Sequence, residues 1–232
     1  MTPLAVNWQL GIPVVVGSMT AASVRCYAVM LAAGTVYVDP MQRQLPLRHS
    51  HHRYSIMGPN GPQRLTVPLV GSTNAMPVPM HQVRISEHAN WRHLHWGALY
   101  SAYGRTPYFD YIADDLQRLI FDDSDPSLLN FNRRLTKLII DFLDLPITVR
   151  LLKGSTANEG GAETDMPLEQ CCDLRNRLGI KRPDGLPIAD VPYQQLWADR
   201  HGFQPNLSIL DLLMNCGRES IFTLLKAISH KP

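Results

Sequence analysis

Pro13-Val14-Val15-Val16, an alanine-, methionine- and leucine-rich run over 20–33, and Thr35-Val36-Tyr37-Val38-Asp39 stand in immediate succession. This order constrains the fold more than any other feature of the chain. A short continuous apolar run bounded by turn residues suits a strand buried on both faces. The middle run has helical spacing and ends at Gly34, the residue that closes a helix most readily. Pro40 closes the second strand. Strand, helix, strand at this spacing is a βαβ unit, which normally joins parallel strands.

An antiparallel signal follows. Arg53 to Met57 and Arg64 to Leu69 flank Gly58-Pro59-Asn60-Gly61-Pro62, a run of turn residues that predicts a hairpin. Pro68 places its second arm at an edge. Gln82 to Ser86 reads as another short strand.

Three helices then succeed one another. The first covers about 90–103, with Asn90 as a possible cap; Trp91, His95, Leu99 and Ala102 fall on one stripe. The second, 107–121, starts from a Thr106 cap and a first-turn Pro107, and carries an Asp114–Arg118 pair outside. The third opens at Asp125-Pro126 and buries Leu128, Leu135, Leu138, Ile139 and Phe142. A strand runs from Ile147 to Leu152, and GSTANEGGAET at 154–164 reads as a surface loop. In the tail a helix is capped at Asn206 or Ser208. The fold expected is therefore α/β: an N-terminal βαβ unit plus an antiparallel hairpin forming a mixed sheet, followed by a largely helical C-terminal half. A single unit over 1–232 is preferred to a division into a body at 1–153 and a helical part at 165–232, whose core would be meagre.

Composition excludes some partners. The net charge of +2 lacks the dense basic patch that nucleic acid requires. No apolar stretch approaches a membrane span or a signal peptide, so a cytoplasmic protein is expected. The four cysteines show no metal spacing and read as reduced thiols. His49, His51 and His52 alternate faces on a strand, so at most two share a metal, and no metal is expected there. No cofactor motif is present: there is no GxGxxG, no Walker loop and no GxSxG nucleophile elbow.

Three blocks carry a family likeness: GPNGPQRLTVPL at 58–69, HWGALYSAYGRTPYFDYIADDL at 95–116 and GFQPNLSILDLLMNCG at 202–217. Val36-Tyr37-Val38-Asp39 and Asp173-Leu174-Arg175 add weaker matches. The chain resembles the WbqC-like family, in the short form common in Bacteroidetes, from about residue 14 to about residue 225. The resemblance implies a place in O-antigen or other surface-polysaccharide biosynthesis, and for some members transfer of glycine or another acyl group to a sugar. The chain departs from the family at Gly17-Ser18-Met19-Thr20 and at Arg48-His49-Ser50-His51-His52-Arg53, of which it keeps only the last arginine clearly.

Such a transfer needs a base, oxyanion donors and a grip on an anionic donor group. His95 and Asp39 are the candidate catalytic groups: His95 for its near-neutral titration, Asp39 for its position at the end of a βαβ strand. Against these stand a hydrogen-bonded core histidine and a turn cap. Arg53 and Arg105 are the candidate anion grip, with an internal ion pair to Asp110 or Asp114 as the competing role for Arg105. Trp96 and Tyr103 are candidate platforms for a sugar ring, though aromatic stripes at helical spacing more often belong to the core. Asn206 is either a cap or a ligand contact. The partner expected is a small-molecule or sugar-nucleotide substrate; the alternative is a non-catalytic nucleotide-sugar-binding or scaffold protein.

Overall fold

The computed structural model describes residues 9–43, 51–71, 78–122, 124–153, 163–164, 168–175, 177–178 and 186–229. β1 (Val14–Val16) and β2 (Thr35–Val38) flank α1 (Val24–Ala33) and pair in parallel, Val14 with Val36 and Val16 with Val38. The βαβ unit is present as the sequence indicates. Its helix starts four residues later than the apolar run, because Thr20 and Ala21 form a turn with Ala21 at φ 42°. Ser23 then caps α1 by accepting from Cys26 N, and Gly34, at φ 68°, ends it.

The hairpin is tighter than the sequence suggests. β3 (Arg53–Gly58) and β4 (Gly61–Thr66) pair from Arg53–Thr66 to Gly58–Gly61, leaving Pro59-Asn60 as a two-residue turn. Gly61 sits at φ 101°, open only to glycine without strain. This hairpin does not enlarge the parallel sheet into a mixed one; it stands as a separate two-stranded sheet. Its apolar residues Tyr54, Ile56 and Leu65 are buried where β3 packs on helices. Ser55 O on its outer edge accepts from Ser208 N. A hairpin satisfied by helices and a loop has no need of the sheet edge.

α2 (Trp91–Tyr103), α3 (Phe109–Phe121) and α4 (Leu128–Leu143) follow. The segment 82–86 forms no strand; Ile85 and Arg84 make isolated bridges to Leu69 and Ser127. Thr106 does not cap α3. Its hydroxyl donates to Tyr103 O at 2.6 Å and so closes α2 instead. Arg118 reaches Asp115, three residues back, rather than the carboxylate of Asp114. Ser127 caps α4 by accepting from Asn130 N.

β5 (Thr148–Leu152), β6 (Glu163–Thr164) and β7 (Cys172–Asp173) complete a five-stranded sheet in the order β6-β5-β2-β1-β7, every neighbour parallel. The chain ends in α5 (Ala198–His201), α6 (Ile209–Cys216) and α7 (Ser220–Ser229). Ser208 caps α6, and the starts of α1 and α6 are tied: Val24 N donates to Leu207 O and Ile209 N to Ala22 O. One hydrophobic cluster runs from Val14 on β1 through α2, α3 and α4 to Ala227 on α7. The four cysteines are free, and no described helix is long and apolar enough to cross a membrane.

Candidate ligand site at the carboxyl edge of the sheet

Open parallel sheets bind ligands beyond the carboxyl ends of their strands. Here β1 ends at Val16 and the chain turns through Gly17-Ser18-Met19-Thr20. A side chain at Gly17 would require Gln42 to move: a Cβ there would lie 2.2 Å from Gln42 Oε1 and 3.0 Å from His51 Cε1. Asn132, on α4 and 1% exposed, fastens the turn. Its amide donates to Ser18 Oγ at 2.9 Å and to His51 O at 2.8 Å, while Thr20 Oγ1 stands 2.6 Å from its carbonyl. His51 Nδ1 in turn contacts Ser18 O. These bonds lock the β1–α1 turn to α4 and to the start of β3.

On the neighbouring strand, Asp39 follows β2. One carboxylate oxygen accepts from Met41 N at 2.8 Å and the other from Arg175 Nη1 at 2.5 Å. Arg175 also forks onto Asp173, through Nε and Nη2, at the end of β7. The arginine therefore bridges β2 and β7 across the end of β1. Burial pushes the Asp173 carboxyl up, but the Arg175 bonds outweigh it and leave the group below the usual carboxylate range.

Beside this edge, between the sheet, α1 and α4, lies a cavity of about 80 Å³. Val16, Val36, Val38, Met19, Met30 and Leu129 supply apolar wall. Its polar groups are Ser18, Asn132, Thr136, Arg133 and Tyr27. Tyr27 Oη is fully buried with no partner at good hydrogen-bond geometry; burial pushes its pKa up, and the Thr136 hydroxyl beside it opposes that rise. Half-buried Arg133 forms no ion pair or hydrogen bond among the described residues. Arg150 also borders the cavity, but strand alternation sends its side chain to the other face of β5.

The seven residues singled out from the sequence share no hydrogen bond with one another among the described residues, and Asp39 is the one at this edge. His95 is 4% exposed; Tyr54 Oη lies 3.1 Å from its Nδ1 and Thr66 O lies 3.1 Å from its Nε2. Nε2 thus donates and Nδ1 accepts. Burial lowers its pKa to about 4, against a smaller rise from the Thr66 bond. Arg53 is half-buried, its Nε without a hydrogen-bond partner. Arg105 is exposed on the turn after α2 and pairs with neither Asp110 nor Asp114. Trp96 packs on Phe109 at 5.9 Å. Tyr103 is fully buried, and Asn206 Oδ1 accepts from Arg25 N at 3.4 Å, at the start of α1. Of the histidine run, His49 lies outside the described residues. His52 is buried, its pKa lowered to about 4 by burial, then by Arg53 and His51.

A second buried polar centre surrounds Asp211 on α6, 0% exposed. It accepts from Tyr103 Oη at 2.8 Å, Tyr193 Oη at 2.7 Å and Gln195 Nε2 at 2.9 Å. Burial raises its pKa, with the hydrogen bonds opposing. Tyr103 Oη accepts from Met57 N, and His201 Nε2 donates to Pro59 O at 2.9 Å. The hairpin, α2 and the tail segment thus meet in space through these bonds and through His95 on Thr66 O.

A model of the WbqC-like protein family matches residues 35–222. The chain belongs to that family. It is also similar to "Uncharacterized protein Rv1507c" of Mycobacterium tuberculosis (strain ATCC 25618 / H37Rv), 27% identical over 150 residues, 56% of this chain and 63% of that protein. The chain thus spans less than two thirds of that relative's length. No solved structure matches.

In this WbqC-like chain the match begins at β2, so β1, the Gly17–Thr20 turn and α1 fall outside it, whereas Asp39, Asn132, Arg175 and Asp211 fall within. Sequence reasoning passed over Asn132, Tyr27 and Arg133. Tyr27 and Asn132 sit amid apolar helical runs, where a polar residue deep in a core face is the available signal. Arg175 was visible as part of Asp173-Leu174-Arg175, but nothing local shows that it reaches Asp39.

Proposed function

We propose that this protein is a transferase that moves an acyl or aminoacyl group, such as glycine, onto a sugar during the making of O-antigen or another surface polysaccharide. The observation that carries this reading is Asp39 at the carboxyl end of β2, held by Arg175 and one residue beyond Val38, which lines the cavity although Asp39 itself does not. The family likeness supports the polysaccharide context. In this reading the sugar's amine or hydroxyl attacks the donor carbonyl while its proton passes to Asp39. The tetrahedral intermediate then collapses and the donor's carrier leaves with its electron pair. Arg133 meets negative charge on the donor. Arg175 holds Asp39 in place, and His95, Tyr103 and Asn206 tie the frame together.

The test is transfer by the purified chain from activated acyl and aminoacyl donors to amino- and hydroxy-sugar nucleotides, read by mass spectrometry. Asp39→Asn should lower turnover about 100-fold, in the range of a lost general base, and His95→Gln should retain most activity. Unchanged turnover in Asp39→Asn would remove Asp39 from the mechanism. One observation favours a second reading, a protein that binds a nucleotide sugar without reacting: the Asp39 carboxylate is already engaged by Arg175. Saturable binding with no product from any donor would select it.

A further inference from the structure

We infer that the cavity between the sheet, α1 and α4 is a pocket for a short carboxylate or acyl group of about three to five heavy atoms. This rests on the reading above and narrows its donor. The size follows from the volume. One water needs roughly 10–15 Å³ of such space, and a dry cavity near 150 Å³ admits benzene; a cavity of about 80 Å³ lies between them. A sugar ring or a nucleobase does not fit.

The chemistry follows from the lining. The walls are valine, methionine and leucine side chains from β1, β2, the β1–α1 turn, α1 and α4, which suit C–H groups. Tyr27 Oη is buried with no partner at good hydrogen-bond geometry, Thr136 being the side chain nearest to supplying one, and a better acceptor for its proton would add stability. A ligand oxygen is the natural acceptor. Arg133 adds an uncompensated cation on the α4 wall, and a guanidinium matches a carboxylate or an anionic carrier. Ser18 and Asn132 are less available, since their mutual bond holds the turn. The ligand is thus apolar along its chain, with one end rich in oxygen and negatively charged. Tyr27 is the residue that sets specificity, and Thr136 limits chain length from α4.

Ligand-observed NMR on the full chain with sodium acetate, propionate, butyrate and hexanoate tests this. Acetate and propionate should bind, with hexanoate at least about tenfold weaker. Tyr27→Phe should keep the fold and weaken binding about tenfold, the scale of one lost hydrogen bond. Arg133→Gln should abolish the preference for propionate over propionamide. Thr136→Met, a good helix former that fills the space, should block all four acids. The inference is overturned if no acid binds at millimolar concentration, if affinity climbs steadily to hexanoate, or if Thr136→Met binds like wild type. Binding of the short acids without any transfer would leave the pocket standing and sink the transferase reading. Transfer that Thr136→Met leaves at the wild-type rate would sink the pocket and spare the transferase.

Discussion

Tyr103 donates its hydroxyl proton to Asp211 across the α2–α6 contact, at 2.8 Å, while accepting from Met57 N at the end of β3. One phenol thereby joins the second and third segments that carry the family likeness and reaches Met57, the residue just before the first. Tyr103→Phe keeps the ring volume but leaves a buried amide and a buried carboxylate each short of a partner. Unsatisfied buried groups cost about 1–3 kcal/mol each, so the variant should unfold about 2–4 kcal/mol more easily. Urea midpoints at neutral pH check this, and a loss below about 0.5 kcal/mol would mean that water replaces the hydroxyl.

Two buried histidines make stability fall in mild acid. His95 and His52 each have a folded pKa lowered to about 4, chiefly by burial. Between that value and the ordinary histidine range near 6.5 the unfolded chain binds more protons than the folded one. Stability is therefore fully present above about pH 6.5 and declines as pH falls toward 4, by up to about 1.4 kcal/mol per unit for each histidine. Asp211, its pKa raised by burial, acts in the opposite sense over the acid range and offsets part of the loss. Unfolding measured at pH 7, 6 and 5 should show the decline, and His95→Gln should flatten it. A wild-type slope matched by the variant would show that His95 does not titrate on unfolding.

The contrast between Gly34 and Thr106 shows what local sequence conveys. Gly34 ends α1 as its type and position imply, because a positive φ is a local demand that a glycine meets. Thr106-Pro107 carries an equally local capping signal, yet the hydroxyl turns back to Tyr103 O, where the end of α2 offers a closer acceptor. The βαβ unit was legible for the same reason as Gly34: strand, helix and strand are neighbours in the chain. The parallel sheet was not, since β5 joins β2 and β7 joins β1 over more than a hundred residues, and pairing at that range leaves no mark on either strand. The hairpin was legible as a hairpin, but its allegiance was not. Site residues divide along the same line. Asp39 stands at the end of a visible strand, whereas Asn132 and Arg175 owe their place to tertiary contacts.

Gly217 is confined by a ring. It sits at φ 53° and ψ −137°, and a Cβ would come within 2.3 Å of the Tyr108 side chain. Gly217→Ala therefore combines backbone strain of about 1–3 kcal/mol with overpacking of similar size. Thermal unfolding should drop by several degrees. The neighbouring control Arg218→Ala, an exposed substitution, should stay within about 0.5 kcal/mol of wild type. Equal stability of the two variants would mean that Tyr108 swings away freely.

Arg175 and Asp39 should be energetically coupled, and the coupling bears on both functional readings. The Asp39 side chain is 10% exposed and that of Arg175 27%, so their pair is shielded more than a surface ion pair. Arg175→Gln strands a buried carboxylate with Met41 N–H as its remaining donor, and should cost about 2–3 kcal/mol after allowance for the arginine's partial exposure. Asp39→Asn removes the charge that Arg175 answers, but Arg175 keeps its fork on Asp173 and the loss should be smaller. In the double variant the stranded charge is gone, so the combined loss should fall short of the sum by about 1–2 kcal/mol. A coupling below about 0.3 kcal/mol would show that the two groups separate readily in solution. Asp39 would then be available as a base without any rearrangement of β7. A strong coupling requires a bound ligand to draw Arg175 away before Asp39 can take a proton, so transfer would begin only when the donor's own negative charge competes for the guanidinium.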